Sequence, residues 1–468
     1  MEPLPERAGH AYVCPMLDRL VLFGATGDLA GRFLFPALTS LAAARQLPVR
    51  FAVIGAAREE WSDARFREQV SERLREHAGA LPASVRDGLV RRLSYRRVDF
   101  NDAKTVAGLR GERAFAAYLA LPPAQFPRAA GALIDSGLPS GSRIAVEKPF
   151  GESLDGAVRL NALLARVPGG ERAIFRVDHV LGMPTVQNLI GLRLGSSVLE
   201  PSWSAAHVER IEILWEETLA LEGRAGFYDR TGALRDVMQN HMLQLLAVAA
   251  MEPPASLDVD EVRRAKLELL RAVRPPRAEQ MATSTRRARY AAGTVGERRL
   301  PAYEEEPGVD PGRGTETFAE VTLEIANARW TGTRVVLRAG KALAERRKEI
   351  VIRFRPATRG RPSGGTRTDS SELRIGIDGP SDIRLRLTGM ARDGTAHPVP
   401  IVLAGSPPDS GLPPYGHVLA DLLAGGNDLS LGAGEVEEAW RIVTPILSAW
   451  TAGAAPLETY PAGSAGPG

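Results

Sequence analysis

Residues 20–30 read Leu20-Val21-Leu22-Phe23-Gly24-Ala25-Thr26-Gly27-Asp28-Leu29-Ala30. The apolar run Leu20–Phe23 is short and stops at a glycine, the pattern of a buried strand. Beyond the turn, Phe33, Leu34, Leu38 and Leu41 recur at helical spacing. The stretch therefore predicts strand, glycine-rich turn and helix. Such a turn lets backbone N–H groups approach a pyrophosphate, and the helix N-terminus adds positive potential for it. The spacing is Gly-x-x-Gly, which a plain strand-to-helix turn also shows.

The following unit narrows the reading. Phe51–Gly55 is a second apolar run, and Arg58 follows it closely. A dinucleotide-binding fold reads the ribose at this position, with a carboxylate for a free 2′-hydroxyl or an arginine for a 2′-phosphate. Arg58 fits the phosphate; a solvated surface arginine is the plainer alternative. Residues 61–77 predict a charged helix. Strands are expected at Leu93–Val98, Ala114–Ala120 and Arg143–Glu147. Tyr118–Pro123 and Glu147–Gly151 end two of these strands at the carboxyl edge of the sheet, where open α/β sheets bind ligands. Lys148 stands at that edge, after the buried run Ile144-Ala145-Val146. Strands alternating with helices imply a mostly parallel sheet.

The chain has 468 residues, 25% charged and 44% apolar, with a net charge of +3. These values fit a soluble protein of two or three domains and give no general reason to expect nucleic acid. Cys14 is the only cysteine, so no intrachain disulfide can form; it reads as an apolar filler, and the composition fits a cytoplasmic protein. No apolar run approaches the roughly 20 residues of a membrane span. Residues 1–17 lack the order of a signal peptide and read as a flexible leader. Residues 461–468 read as a disordered tail.

After residue 175 the pattern changes. Strands are expected at His207–Trp215, Phe318–Ile325, Thr333–Arg338, Ile350–Phe354, Leu373–Ile377 and Ile383–Leu387. Few helices separate the later ones, which favours an antiparallel sheet. Helices are expected over Ala233–Ala250 and residues 433–452. Arg274–Pro311 and Arg355–Ser371 read as loops. The expected domains are 18–175 for dinucleotide binding and 176–460 for substrate.

Two distant stretches carry chemistry. Arg176-Val177-Asp178-His179 sets a carboxylate beside an imidazole, and Arg235–His241 places Asp236, Gln239, Asn240 and His241 in an otherwise apolar helix. Polar residues packed this densely suit a wet cleft; a set of buried hydrogen-bond partners would look the same. If Asp178 meets His241, the pair is a general base with its orienting carboxylate. Oxidation of an alcohol by a nicotinamide cofactor needs such a base, because the cofactor takes only the hydride.

Taken together, these residues resemble the glucose-6-phosphate dehydrogenase family from about residue 18 to residue 450. The carrying motifs are GATGDLA at Gly24–Ala30, YLALPP at Tyr118–Pro123, EKPFG at Glu147–Gly151 and RVDHVLG at Arg176–Gly182. EGRAGFYD at Glu222–Asp229, RDVMQNH at Arg235–His241 and GKALAERRKE at Gly340–Glu349 continue them. The resemblance implies an α/β Rossmann-type N-terminal domain and an α+β C-terminal domain with a large, mostly antiparallel sheet. It implies NADP-dependent oxidation of a sugar C1 hydroxyl to a lactone, and a homodimer or dimer of dimers; no metal is expected. By position, His241 matches the base, Asp178 its carboxylate, and Lys148 the lysine near the C1 oxygen and the nicotinamide. Glu217, Asp236 and Lys341 match sugar ligands, and His179 a phosphate ligand. Gly24, Thr26, Gly27, Asp28, Leu29 and Arg58 match cofactor positions.

The sequence also departs from that pattern. The family has Tyr and Lys where Val180 and Met183 stand, and these two grip the 6-phosphate with His179. Phe33 replaces a lysine near the cofactor, for which Arg32 is a substitute. Gly376 and Asp378 stand where Arg and Gln are common. Three readings follow: a glucose-6-phosphate dehydrogenase with an altered phosphate site, the same chemistry on a sugar without that phosphate, and a non-catalytic paralogue. Arg193, Lys341 and Arg346 are the candidate replacements for the missing phosphate ligands.

Overall fold

A computed structural model of the chain describes residues 16–356, 371–378, 382–391, 398–408 and 410–468. Cys14, most of the expected leader and most of the expected loop Arg355–Ser371 lie outside these residues. The chain forms two compact units.

The first unit comprises the chain through Val146, Leu163–Phe175 and Tyr415–Leu429. Its sheet has six strands: β1 (Arg19–Phe23), β2 (Ala52–Ala57), β3 (Leu93–Arg97), β4 (Ala116–Leu119), β5 (Arg143–Glu147) and β6 (Ile174–Val177). Their order is β3-β2-β1-β4-β5-β6. The pairings of β1 with β2 and β4, of β2 with β3 and of β4 with β5 are parallel. Strands β4 and β5 are buried along their whole length, as strands covered on both faces must be.

The late segment Tyr415–Leu429 belongs to this unit, which a contiguous boundary at residue 175 did not anticipate. The buried Arg143 guanidinium explains it, donating to the carbonyls of Leu422 at 2.6 Å and Leu423 at 2.7 Å. Leu17 is buried and its N–H bonds to the Leu423 carbonyl at 2.9 Å, so the flexible leader ends before it.

The second unit comprises Glu147–Ala162, Arg176–Pro414 and Ser430–Gly468. Its strands are β7 (Val208–Glu216), β8 (Val273–Arg274), β9 (Thr285–Ala291), β10 (Gly293–Val295), β11 (Arg298–Leu300), β12 (Phe318–Ile325), β13 (Arg334–Gly340), β14 (Arg347–Phe354), β15 (Glu372–Gly376), β16 (Ile383–Met390), β17 (Pro398–Gly405) and β18 (Leu457–Pro461). Ten of them form one sheet ordered β17-β16-β15-β14-β7-β13-β12-β9-β18, with β8 beside β12; β10 and β11 pair separately. The sheet is mostly antiparallel, with parallel pairs at β7–β13 and β9–β18.

Two expectations fail here. Arg274–Pro311 is not a loop, because Thr285, Ala288 and Tyr290 of β9 are buried, while its arginines are half-buried and partnered, Arg286 by Glu458 and Arg287 by the Ala455 carbonyl. Residues 461–468 are not a free tail. Gly463 donates to the Ala342 carbonyl at 2.8 Å, Ser464 accepts from Ala344 at 2.9 Å, and Arg286 donates to the Gly468 carbonyl at 2.7 Å.

The helical run expected at Ala233–Ala250 is π-helical over Leu234–Met242 and α-helical over Leu243–Ala250. Its carboxyl end is fully buried, so its last carbonyls need protein donors. Arg193 donates to Val248 at 2.9 Å and Met251 at 2.8 Å, Trp203 to Ala249 at 2.7 Å and Trp330 to Ala250 at 2.6 Å. Its amino end is fixed by the buried Glu316 carboxylate, which accepts from the Leu234 N–H at 3.0 Å.

Candidate active site

Asp178 directly follows β6 and caps the short turn His179–Gly182, accepting from the Val180 N–H at 3.1 Å. The turn sits tightly in the second unit: a Cβ on Gly182 would meet the Pro414 carbonyl oxygen at 2.5 Å. This geometry holds the Asp178 carboxylate on the Nδ1 edge of His241, with Oδ1 to Nδ1 at 2.6 Å. Both side chains are buried. Burial alone would raise the Asp178 pKa, but the imidazole of His241 outweighs it and the carboxyl titrates at about 2. An ionised Oδ1 at this distance accepts the Nδ1 proton, which leaves a lone pair on Nε2.

The ring is also clamped. Trp215, near the end of β7, stacks on His241 with centroids 5.4 Å apart and planes at 19°. The His179 ring meets it edge-on at 5.0 Å. Burial, with His241 nearby, pushes His179 down to about 3, so its imidazole is neutral at physiological pH. The donor atoms of Asp178, His179 and His241 lie within 4.8 Å of one another.

Asp236 and His241 are five residues apart on the π-helical turn, whose i→i+5 bonding sets residues so spaced near one another. Asp236 takes Lys148 as partner, with Nζ 2.9 Å from Oδ1 and 2.7 Å from the Asp236 carbonyl oxygen. Burial opposes the Asp236 charge, but Lys148 more than offsets it and the group titrates at about 2. Glu217, one residue past β7, is bound by two lysines: Lys341 at 2.7 Å and Lys348 at 2.8 Å. It too is driven to about 2, against burial, by Lys341 and Lys348. The second unit thus gathers Asp178, His179, Lys148, Glu217, Asp236, His241 and Lys341 from positions spread over nearly two hundred residues.

The other expected positions lie in the first unit. The turn after β1 carries Gly24 at φ +73°, where a Cβ would meet the Ala120 carbonyl oxygen at 2.1 Å. No side chain fits there, which leaves the turn narrow and its backbone accessible. Gly27 and Asp28 are exposed at the start of the helix, with Thr26 and Leu29 partly exposed. Thr26 donates to Glu59 at 3.2 Å. Arg58 follows β2, is exposed, and forms no ion pair among the described residues. A narrow turn, a free helix start and an unpaired guanidinium on the neighbouring strand fit the pyrophosphate and 2′-phosphate of NADP. Arg32 lies 3.4 Å from Asp28 and covers the Phe33 ring at 5.5 Å.

Comparison with known proteins settles the family. Residues 21–188 match the family model of the glucose-6-phosphate dehydrogenase NAD binding domain, and residues 190–468 that of its C-terminal domain. The chain belongs to the glucose-6-phosphate dehydrogenase family. It is 37% identical to the glucose-6-phosphate 1-dehydrogenase of Rhizobium meliloti (strain 1021), over 96% of this chain and 94% of that protein. It is 36% identical to the enzyme of that name from Mycolicibacterium smegmatis, over 96% and 94%. Among solved structures, a glucose-6-phosphate dehydrogenase in complex with its substrate glucose-6-phosphate superposes with a TM-score of 0.88 at 29% identity, covering 97% of this chain and 96% of that one. The Mycobacterium avium glucose-6-phosphate 1-dehydrogenase gives 0.85 at 33% identity, over 97% and 95%.

Within the family pattern, Val180 and Met183 are buried apolar residues. Of the three cations considered as replacements, Arg193 is excluded by its place: it is fully buried beneath the helix carbonyls and 3.8 Å from Glu200. Lys341 is paired with Glu217 and Arg346 with Asp378. Sequence reasoning missed Trp215 and Lys348. Their pairing follows from register, because β7 and β14 are antiparallel with Lys348 opposite Trp215. Nothing local along β14 singles out Lys348, because it stands in a run of three charged residues, Arg347 to Glu349.

Proposed function

We propose that this protein oxidises the C1 hydroxyl of glucose 6-phosphate to 6-phosphoglucono-1,5-lactone with NADP. The observation that carries the proposal is the buried Asp178–His241 pair at 2.6 Å, its imidazole clamped by Trp215. His241 Nε2 takes the hydroxyl proton, and the Asp178 carboxylate stabilises the imidazolium that forms. NADP, when bound, would supply the hydride acceptor. Lys148, held by Asp236, steadies the C1 oxygen. Glu217, Asp236 and Lys341 bind ring hydroxyls, and neutral His179 donates to the phosphate. Gly24, Thr26, Gly27, Asp28 and Leu29 receive the pyrophosphate, and Arg58 the 2′-phosphate.

We further infer a homodimer, or a dimer of dimers, formed through the large sheet. Exposed Leu387, Ile401, Val402 and Leu403 on β16 and β17 support this reading. A cytoplasmic location is supported by the single cysteine. The test of the reaction is steady-state NADP reduction with glucose 6-phosphate and with glucose. A kcat/KM at least about 100-fold higher for the phosphorylated sugar is expected; equal values would contradict the substrate.

A further inference from the structure

Positions 180 and 183 give a phosphate no charge, and His179 is neutral. A dianion in this site therefore needs a cation from elsewhere. Lys148 is bound to Asp236 through both its carboxylate and its carbonyl. The remaining cations of the second-unit site are Lys341, Arg346 and Lys348. These three share two carboxylates among the described residues, Glu217 and Asp378.

Of the three, Lys348 is the cation that lies over Trp215 beside the base. Its ammonium lies 4.4 Å from the centre of the Trp215 ring, and that ring stacks on His241, which His179 meets edge-on. The charge thus sits one aromatic layer from the base. Two carboxylates fix the head, Glu217 at 2.8 Å and Asp378 at 3.4 Å. An ammonium has three donors, so one N–H direction is left beyond these two. Lys348 is only 10% exposed, whereas Arg346 is about half exposed, and a sheltered charge is screened less by salt.

We infer that Lys348 is a specificity-determining residue that binds the substrate phosphate, in place of a cation at position 183. Asp378 is its positioning partner. The inference rests on the glucose 6-phosphate reading and deepens it.

The experiment compares the full-length wild type with Lys348→Met and Lys348→Arg, using glucose 6-phosphate and glucose at saturating NADP. One charge-assisted hydrogen bond corresponds to roughly a 10- to 100-fold change. In Lys348→Met the ratio of kcat/KM for glucose 6-phosphate over glucose falls by about that factor, mainly through KM for glucose 6-phosphate. Lys348→Arg keeps most of the ratio. NADP binding by each variant, read by fluorescence titration, establishes that it is folded. An unchanged ratio in folded Lys348→Met overturns the assignment. So does an equal loss with both sugars, which marks a structural role. If Lys348→Met does not fold, a ratio in Lys348→Arg reduced as far as 100-fold or unmoved under changing salt overturns it as well. A wild type that does not distinguish the sugars overturns the glucose 6-phosphate reading itself.

Discussion

The carboxylate of Asp178 lies 2.6 Å from His241 Nδ1, across 63 residues of chain, and both groups are buried. At this distance the carboxylate fixes which nitrogen carries the proton. Asp178→Asn would offer an amide N–H to Nδ1 instead, moving the imidazole proton to Nε2. We expect kcat to fall about 10²- to 10⁴-fold, with the Kd for glucose 6-phosphate nearly unchanged. A kcat within tenfold of wild type would show that the tautomer does not matter.

Arg58 is exposed after β2 and has no acidic partner among the described residues. Its guanidinium is therefore available to a 2′-phosphate. In Arg58→Ala the preference for NADP over NAD, measured as a ratio of kcat/KM values, should drop roughly 10- to 100-fold. If discrimination survives, the 2′-phosphate is read elsewhere.

His179 predicts how stability depends on pH. Its folded pKa of about 3 lies well below the unfolded value near 6.5, so between these values the unfolded chain holds the extra proton. Stability must then fall as pH drops through this window, by up to about 1.4 kcal/mol per pH unit from this group. Asp178, Asp236 and Glu217 behave differently: with folded values near 2, their contribution is nearly complete at pH 5 and above, and is lost as pH falls through their unfolded values towards 2. Urea midpoints at pH 7.5 and pH 5 therefore isolate the histidines. His179→Gln should lose up to about 2 kcal/mol less than wild type between these pH values. Equal losses would mean that His179 titrates normally.

Arg193 is buried beneath the Val248 and Met251 carbonyls. Arg193→Met leaves both without a donor and should lower stability by about 3 kcal/mol, read as a lower urea midpoint. The folded fraction should keep the wild-type KM for glucose 6-phosphate. A raised KM at unchanged stability would return Arg193 to the phosphate site.

Much of this architecture is local in origin and so was legible in the sequence. Strands such as Arg19–Phe23, Arg143–Glu147 and Phe318–Ile325 show themselves as apolar runs or alternation, and the ends of the first two carry the turn at Gly24 and Lys148. β9 was hidden because three arginines, placed on both faces and partnered only in the folded chain, mask a buried Thr285, Ala288 and Tyr290. The last eight residues are small and rich in glycine and proline, yet strand pairing and hydrogen bonds to Ala342 and Ala344 order them. Composition could not reveal this. Arg193 and Lys348 show the same limit at the site. Both are cations near a motif, and only the fold sends one beneath a helix end and sets the other on Trp215.

The central claim is that His241 removes the proton from the sugar C1 hydroxyl. It is tested most directly by kcat for glucose 6-phosphate in His241→Asn, with NADP binding measured on the same protein. The account predicts that turnover falls by about 10⁴-fold or more while the Kd for NADP stays at the wild-type value. A His241→Asn protein that turns over glucose 6-phosphate at the wild-type kcat would contradict it.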